Sequence, residues 1–261
     1  MAPMPDEIEI TLEGGTVNGD VVRVGDTVRR NVGPWTPAVH TLLRHLEAVG
    51  FPYSSRVLGF DARGREVLSY IDGVTGNMPW PAALFTDGGV RDVARLVRQY
   101  HDAVASFVPP PGSVWRNTDR PVAPGEIVRH GDLGTWNMIW RDGALVGLID
   151  WDFAEPGPAI IDVAYAAKHV VPLRPDAALA EIGWTAPPDR KHRLRLFCEV
   201  YGPVTPREVL DGVDAYNEIS RTRMQVRGGA GEHPWAGFLE GYMGDLEADI
   251  AWFAEHRASL C

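Results

Sequence analysis

His130-Gly131-Asp132-Leu133-Gly134-Thr135-Trp136-Asn137, followed further on by Leu148-Ile149-Asp150-Trp151-Asp152, is the stretch from which the chain is best read. Asp132 and Asn137 share a short loop that enters an apolar strand, Met138-Ile139-Trp140. Arg141-Asp142-Gly143 is a turn, and Ala144 to Ile149 forms a second apolar strand with Asp150 at its end. Pairing the two strands through that turn returns Asp150 to the side of Asn137. Two carboxylates and an amide then make a hard-oxygen cluster suited to Mg²⁺, which favours such ligands together with substrate phosphates. Asp132, on the same loop, is positioned to accept a proton from an attacking hydroxyl. Any one of these residues alone is an ordinary turn former; the three at this spacing point to phosphoryl transfer, with an Asp base, an Asn ligand and a second Asp ligand after a hairpin.

Outward from this stretch, the preceding part of the chain is β-rich. Asn18-Gly19 is a hairpin signal, and Val21-Val-Arg-Val24 alternates at strand period. Gly25-Asp26 turns into Thr27-Val-Arg-Arg30, Ala38 to Val49 carries one apolar helical face, and Arg56–Phe60 and Glu66–Ile71 read as two more strands. The remainder is mainly helical. Val90 to Phe107 is amphipathic, and helices are expected near 161–170, 190–201, 206–223 and 234–258, with Gly228-Gly-Ala-Gly231 as a flexible link before the last. The domains expected are a β-rich lobe over 1–73 and a helical lobe over 74–261. The chain of 261 residues is long enough for a sizeable core, and its net charge of −10 argues against nucleic acid as a partner while permitting a cationic small substrate. No apolar run approaches a membrane span, and the acidic Met1–Glu9 lacks the apolar core of a secretory leader. With only Cys198 and Cys261, a disulfide framework is excluded and a cytoplasmic location is expected.

The pattern His130-Gly-Asp-Leu-x-x-x-Asn137, then Ile149-Asp150-Trp-Asp152 and Gly157-Pro-x-x-x-Asp162-Val-Ala, resembles the aminoglycoside phosphotransferase family of protein-kinase-like small-molecule kinases. That resemblance implies a two-lobed protein-kinase-like α+β fold, with a small β-rich N-lobe and a mainly helical C-lobe. It implies transfer of the γ-phosphoryl group of ATP or GTP to a hydroxyl of a small molecule, an aminoglycoside being one class. Asp132 would be the catalytic base, and Asn137 and Asp150 would hold Mg²⁺ on the nucleotide phosphates. His130 would brace the loop, Asp152 would be an auxiliary ligand, and Asp162 would be structural. Ser69, Tyr70 and Ile71 would form the hinge against the nucleobase. Trp136 and Trp151 flank the site residues and are expected near it.

The β-rich lobe departs from the kinase pattern. Its phosphate-binding lysine is missing, since the first lysine in the chain is Lys168, so Arg29 or Arg30 must supply the cation. Alternation puts one of the pair inward. The helix that should carry the partner glutamate has Val39-His40 at the expected place and Glu47 two turns on. The phosphate-covering loop is represented only by the glycine hairpin Gly14–Gly19. Two rival readings follow: a choline or metabolite kinase of the same fold, and a nucleotide-binding pseudokinase acting as a regulator.

Overall fold

The computed structural model describes residues 8–12 and 21–261. The hairpin expected at Gly14–Gly19 lies outside the described residues. Strands β1 (Ile10–Thr11), β2 (Val22–Val24), β3 (Thr27–Arg30), β4 (Val57–Phe60) and β5 (Glu66–Ser69) form an antiparallel sheet in the order β1-β2-β3-β5-β4. Gly25, with φ of 57°, makes the β2–β3 turn, a conformation glycine adopts without penalty. Helix α1 (Thr36–Ala48) crosses between β3 and β4 and buries Leu42, Leu43 and Leu46.

Beyond Gly73 a second sheet begins, in the order β6-β8-β9, from β6 (Val74–Thr75), β8 (Met138–Arg141) and β9 (Ala144–Leu148). Strand β7 (Ile127–Arg129) pairs instead with β10 (Glu155–Gly157). Asp142 and Gly143, with φ of 53° and 81°, close the β8–β9 hairpin in the left-handed conformation a tight turn requires. Around these strands pack α2 (Asp87–Val104), α3 (Ala159–Val170), α4 (Arg190–Tyr201), α5 (Pro206–Arg223), α6 (Trp235–Gly241) and α7 (Met243–Leu260). The core of this lobe joins Leu96, Val97 and Tyr100 of α2 to Val163 and Ala167 of α3, Phe197 of α4 and Leu210 of α5. Tyr100 donates its hydroxyl to the Val128 carbonyl at 2.7 Å, tying the core to β7 just before the His130–Asn137 stretch.

The fold is a two-lobed, protein-kinase-like α+β architecture. It differs from the sequence reading near the C-terminus. The helix expected over 234–258 is two helices, broken where Gly241 gives way to Tyr242. Nor is Gly228–Gly231 a free link: α5 runs on into a π-helical turn over Met224–Gly228, and a side chain at buried Gly228 would meet the Trp235 carbonyl at 2.6 Å.

Candidate active site

The β8–β9 hairpin assembles the site. Met138 pairs with Leu148, and the Ile149 N–H donates to the Asn137 carbonyl at 2.9 Å, so Asn137 and Asp150 emerge side by side. Asp150 has φ of 59° and ψ of 71°, a left-handed conformation that a non-glycine residue holds only at a cost. Asn137 turns its Nδ2 onto Asp132, donating to the backbone carbonyl at 2.9 Å and to Oδ2 at 2.8 Å. Its Oδ1 is thereby the atom of the amide left to act as a ligand. Tyr165 donates to Asp132 Oδ1 at 2.8 Å, and Trp136 Nε1 to Oδ2 at 3.3 Å. Burial, with the Asp150 charge adding to it, lifts the Asp132 carboxyl to about 6, against the pull of these three donors.

The loop is held from below by Asp162, which accepts the N–H of His130 at 2.7 Å and of Gly131 at 3.1 Å. Gly131 has φ of 80°, and a Cβ there would lie 2.1 Å from the Phe153 carbonyl oxygen, so no side chain fits between the His and the Asp. His130 Nδ1 accepts the Asp132 N–H at 3.2 Å; its proton therefore sits on Nε2, which donates to the Ile149 carbonyl at 3.1 Å. Burial lowers the His130 imidazole to about 4, so it is neutral at pH 7 and links the loop to the strand that delivers Asp150. Its ring packs 4.5 Å from that of Trp151.

Strand alternation separates the two arginines. Arg29 lies on the outer face, 3.9 Å from Asp61. Arg30 points inward, buried, and reaches three carboxylates: Glu66 at 2.5 Å, Asp150 at 3.1 Å, and Asp152. Burial opposes the Arg30 charge, but Asp152, Glu66 and Asp150 together drive its pKa well above the ordinary value. Glu47 of α1 pairs with Arg56 at 3.4 Å instead, and the glutamate beside Arg30 comes from β5, where Glu66 stands opposite it in the ladder. His40, at the helical position expected to carry that glutamate, bonds the other Glu66 oxygen at 2.7 Å. Asp152 is buried; Arg30 takes its Oδ1 and Arg116 lies 3.3 Å from its Oδ2.

Glu66 and Arg116 were not singled out from the sequence. For Glu66 a signal existed: an acid at the head of the apolar Val67-Leu68, opposite an arginine once the strands pair. Arg116 sits in an irregular segment, its guanidinium 3.8 Å above the Trp35 ring, and carried no local pattern.

At the hinge segment the Ser69 N–H is taken by Arg56 and the Tyr70 N–H by Asp26, each at 2.9 Å. Ile71 N–H finds no protein acceptor among the described residues. Beside Asp132 an aromatic wall rises: Trp136 and Tyr165 lie 4.7 and 4.6 Å from His169, and Tyr165 lies 4.4 Å from Tyr216. Among the described residues no three His, Cys, Asp or Glu side chains form a metal cage. An amide oxygen and one carboxylate nevertheless fit Mg²⁺, which usually takes few protein ligands and completes its shell with phosphate and water.

Comparison with known proteins bears on the family and the fold. Residues 113–197 match the model of the phosphotransferase enzyme family (APH). The trifolitoxin immunity protein of Rhizobium leguminosarum bv. trifolii is 41% identical over 204 residues, 76% of this chain and 75% of that protein. The chain belongs to the aminoglycoside phosphotransferase family. Solved structures share the fold of this family member at low identity. The amicoumacin kinase in complex with AMP-PNP, Ca²⁺ and Ami superposes with a TM-score of 0.65 at 12% identity, covering 97% of this chain and 88% of that one. A GDP complex of an aminoglycoside 2′-phosphotransferase-IIIa mutant gives 0.60 at 14%, covering 98% and 94%. A choline/ethanolamine kinase family protein from Mesorhizobium loti gives 0.60 at 14%, covering 99% and 96%.

Proposed function

We propose that this family member is a small-molecule kinase that moves the γ-phosphoryl group of ATP or GTP to a hydroxyl of its acceptor. The nucleotide would lie between the lobe of residues 1–73 and that of 74–261, its base against the open Ile71 N–H. Arg30 would take the phosphates: a guanidinium already charged at any working pH, and able to exchange a carboxylate partner for a phosphate one. Asn137 Oδ1 and Asp150 would hold Mg²⁺, which when bound neutralises charge on the phosphates. Asp132 accepts the acceptor's hydroxyl proton. Its carboxyl near 6 is mostly ionised at pH 7 yet more basic than an ordinary aspartate, the balance a general base requires. Tyr165 and Asn137 fix its two oxygens and so its direction of approach.

The observation that carries this reading is the convergence of Asp132, Asn137 and Asp150 with Arg30 on one face of the β8–β9 hairpin. It weighs against a pseudokinase, whose main support is the uncertain lysine–glutamate pair, because Arg30 and Glu66 supply an ion pair in that place. For the acceptor, the name of the 41% identical relative supports a toxin or antibiotic bearing a hydroxyl, the chain acting in the cytoplasm to protect its host. The aromatic wall of Trp136, Tyr165 and Tyr216 favours a second class, an amino-alcohol metabolite whose ammonium would sit on ring faces. ADP or GDP release across hydroxylated peptides, aminoglycosides and amino alcohols, with Asp132→Asn as control, tests the reading. Turnover by wild type that Asp132→Asn lowers by less than tenfold would refute the assignment of the base.

A further inference from the structure

Away from these residues, a cavity of about 300 Å³ opens behind the catalytic loop, lined by Asn117, Arg120, Arg129, Glu155, Arg223 and the segment Pro156–Pro158 that leads into α3. None of Asp132, Asn137, Asp150 or Arg30 reaches it. In a chain of net charge −10, three guanidiniums share this wall with one carboxylate. Glu155, buried, accepts from Arg129 and from Arg223, the latter at 2.8 and 3.0 Å. Arg120 is held from the rim by Glu126, at 2.6 and 2.9 Å, and by the Pro156 carbonyl at 2.9 Å. Arg129 also lies 3.9 Å from Asp162.

The donors outnumber the acceptors. Arg129 and Arg223 spend their side-chain hydrogen bonds on Glu155 alone, although a guanidinium carries several donors. Buried Nε of Arg129 and buried Nδ2 of Asn117 have no hydrogen-bond partner. Asn117 Oδ1 is already fixed by Arg227 at 2.8 Å, which sets the direction of its amide. No side chain caps the start of α3, where Pro158 and Ile161 line the cavity; the Ile161 N–H is taken by the Pro158 carbonyl at 3.1 Å and Asp162 lies in the same turn, which leaves the preceding amides of α3 as the donors on this side. Gly157 is what admits Arg129 to this wall, since a Cβ there would lie 2.3 Å from Arg129 Nε.

We propose that this cavity binds a phosphate group, between Arg129, Arg223 and Arg120, with Asn117 and the start of α3 completing the donors. Phosphate suits it better than carboxylate: it offers more oxygens and more charge to three guanidiniums and a helix terminus. The site is separate from the nucleotide cleft but touches the loop through Arg129, which precedes His130, and Asp162, which holds that loop's amides.

Calorimetric titration of the full chain with inorganic phosphate, O-phosphoserine, acetate and citrate at matched ionic strength tests the assignment, with thermal melts alongside. Phosphate or O-phosphoserine binds and raises Tm, while acetate and citrate do not. Arg223→Gln and Arg120→Gln, both on the accessible rim, each weaken binding roughly tenfold, and Asp150→Asn leaves it unchanged. Tighter binding of O-phosphoserine than of phosphate assigns a phosphomonoester; the reverse assigns the free ion. The assignment is overturned if Asp150→Asn abolishes the binding, which would put the phosphate in the nucleotide cleft. It is equally overturned if both arginine variants bind like wild type, or if carboxylates bind as well as phosphate.

Discussion

Replacing Asp132 by Asn should stabilise the protein while stopping its chemistry. The Asp132 carboxyl stands at about 6 in the folded chain, against 3.8 for an unhindered aspartate. A carboxyl raised in this way is held more comfortably as the neutral acid. The stability associated with it is fully present below pH 3.8 and is lost as pH rises through 6. At pH 7 the folded state therefore carries a penalty of up to about 3 kcal/mol for keeping this side chain ionised. The residue retains some access to water, and Asn accepts the Tyr165 hydroxyl but loses part of the bonding to Asn137 and Trp136, so a net gain of about 1–2 kcal/mol is expected. The gain should shrink by about 1 kcal/mol between pH 7 and pH 5, where wild type begins to take up the proton. Urea melts of wild type and Asp132→Asn at the two pH values measure it. A variant no more stable than wild type at pH 7, or a gap that does not change with pH, would refute the account of how burial and Asp150 act on this group.

Other expectations concern the supports of the site. Arg30→Met leaves buried Glu66 and Asp152 without their shared cation and should cost about 3–5 kcal/mol in a denaturant melt, besides weakening nucleotide affinity. Gly131→Ala should cost about 3 kcal/mol or more, from its left-handed backbone and the contact with the Phe153 carbonyl; a melt within about 1 kcal/mol of wild type would contradict that geometry. Tyr165→Phe removes a donor that favours ionised Asp132, so the acid limb of the kcat/KM profile should move to higher pH while the fold is retained. An unmoved limb would separate Tyr165 from the base.

Much of the fold was legible because local chemistry and tertiary packing agree. The expected helices at 190–201 and 206–223 start where Asp189 caps one and Thr205 with Glu208 forms a reciprocal cap on the other, signals written within four residues. Asp132, Asn137 and Asp150 were readable because one short hairpin joins them. The choice between Arg29 and Arg30 was not, since alternation gives two faces and only the neighbouring strand says which is inner. Glu66 escaped for a related reason: its partner is far away along the chain, and the pair exists only once β3 and β5 align. The split of the last helix turns on glycines whose cost a sequence pattern does not weigh against packing.

The backbone at Asp150 bears on how this protein should be interrogated. Alanine scanning assumes that trimming a side chain leaves the main chain indifferent, and at a left-handed position that assumption fails. An alanine there would remove the proposed metal ligand and twist the hairpin terminus at once, and the two losses would be indistinguishable in an inactive variant. Asparagine tolerates the same torsions, so it is the substitution that isolates charge from shape.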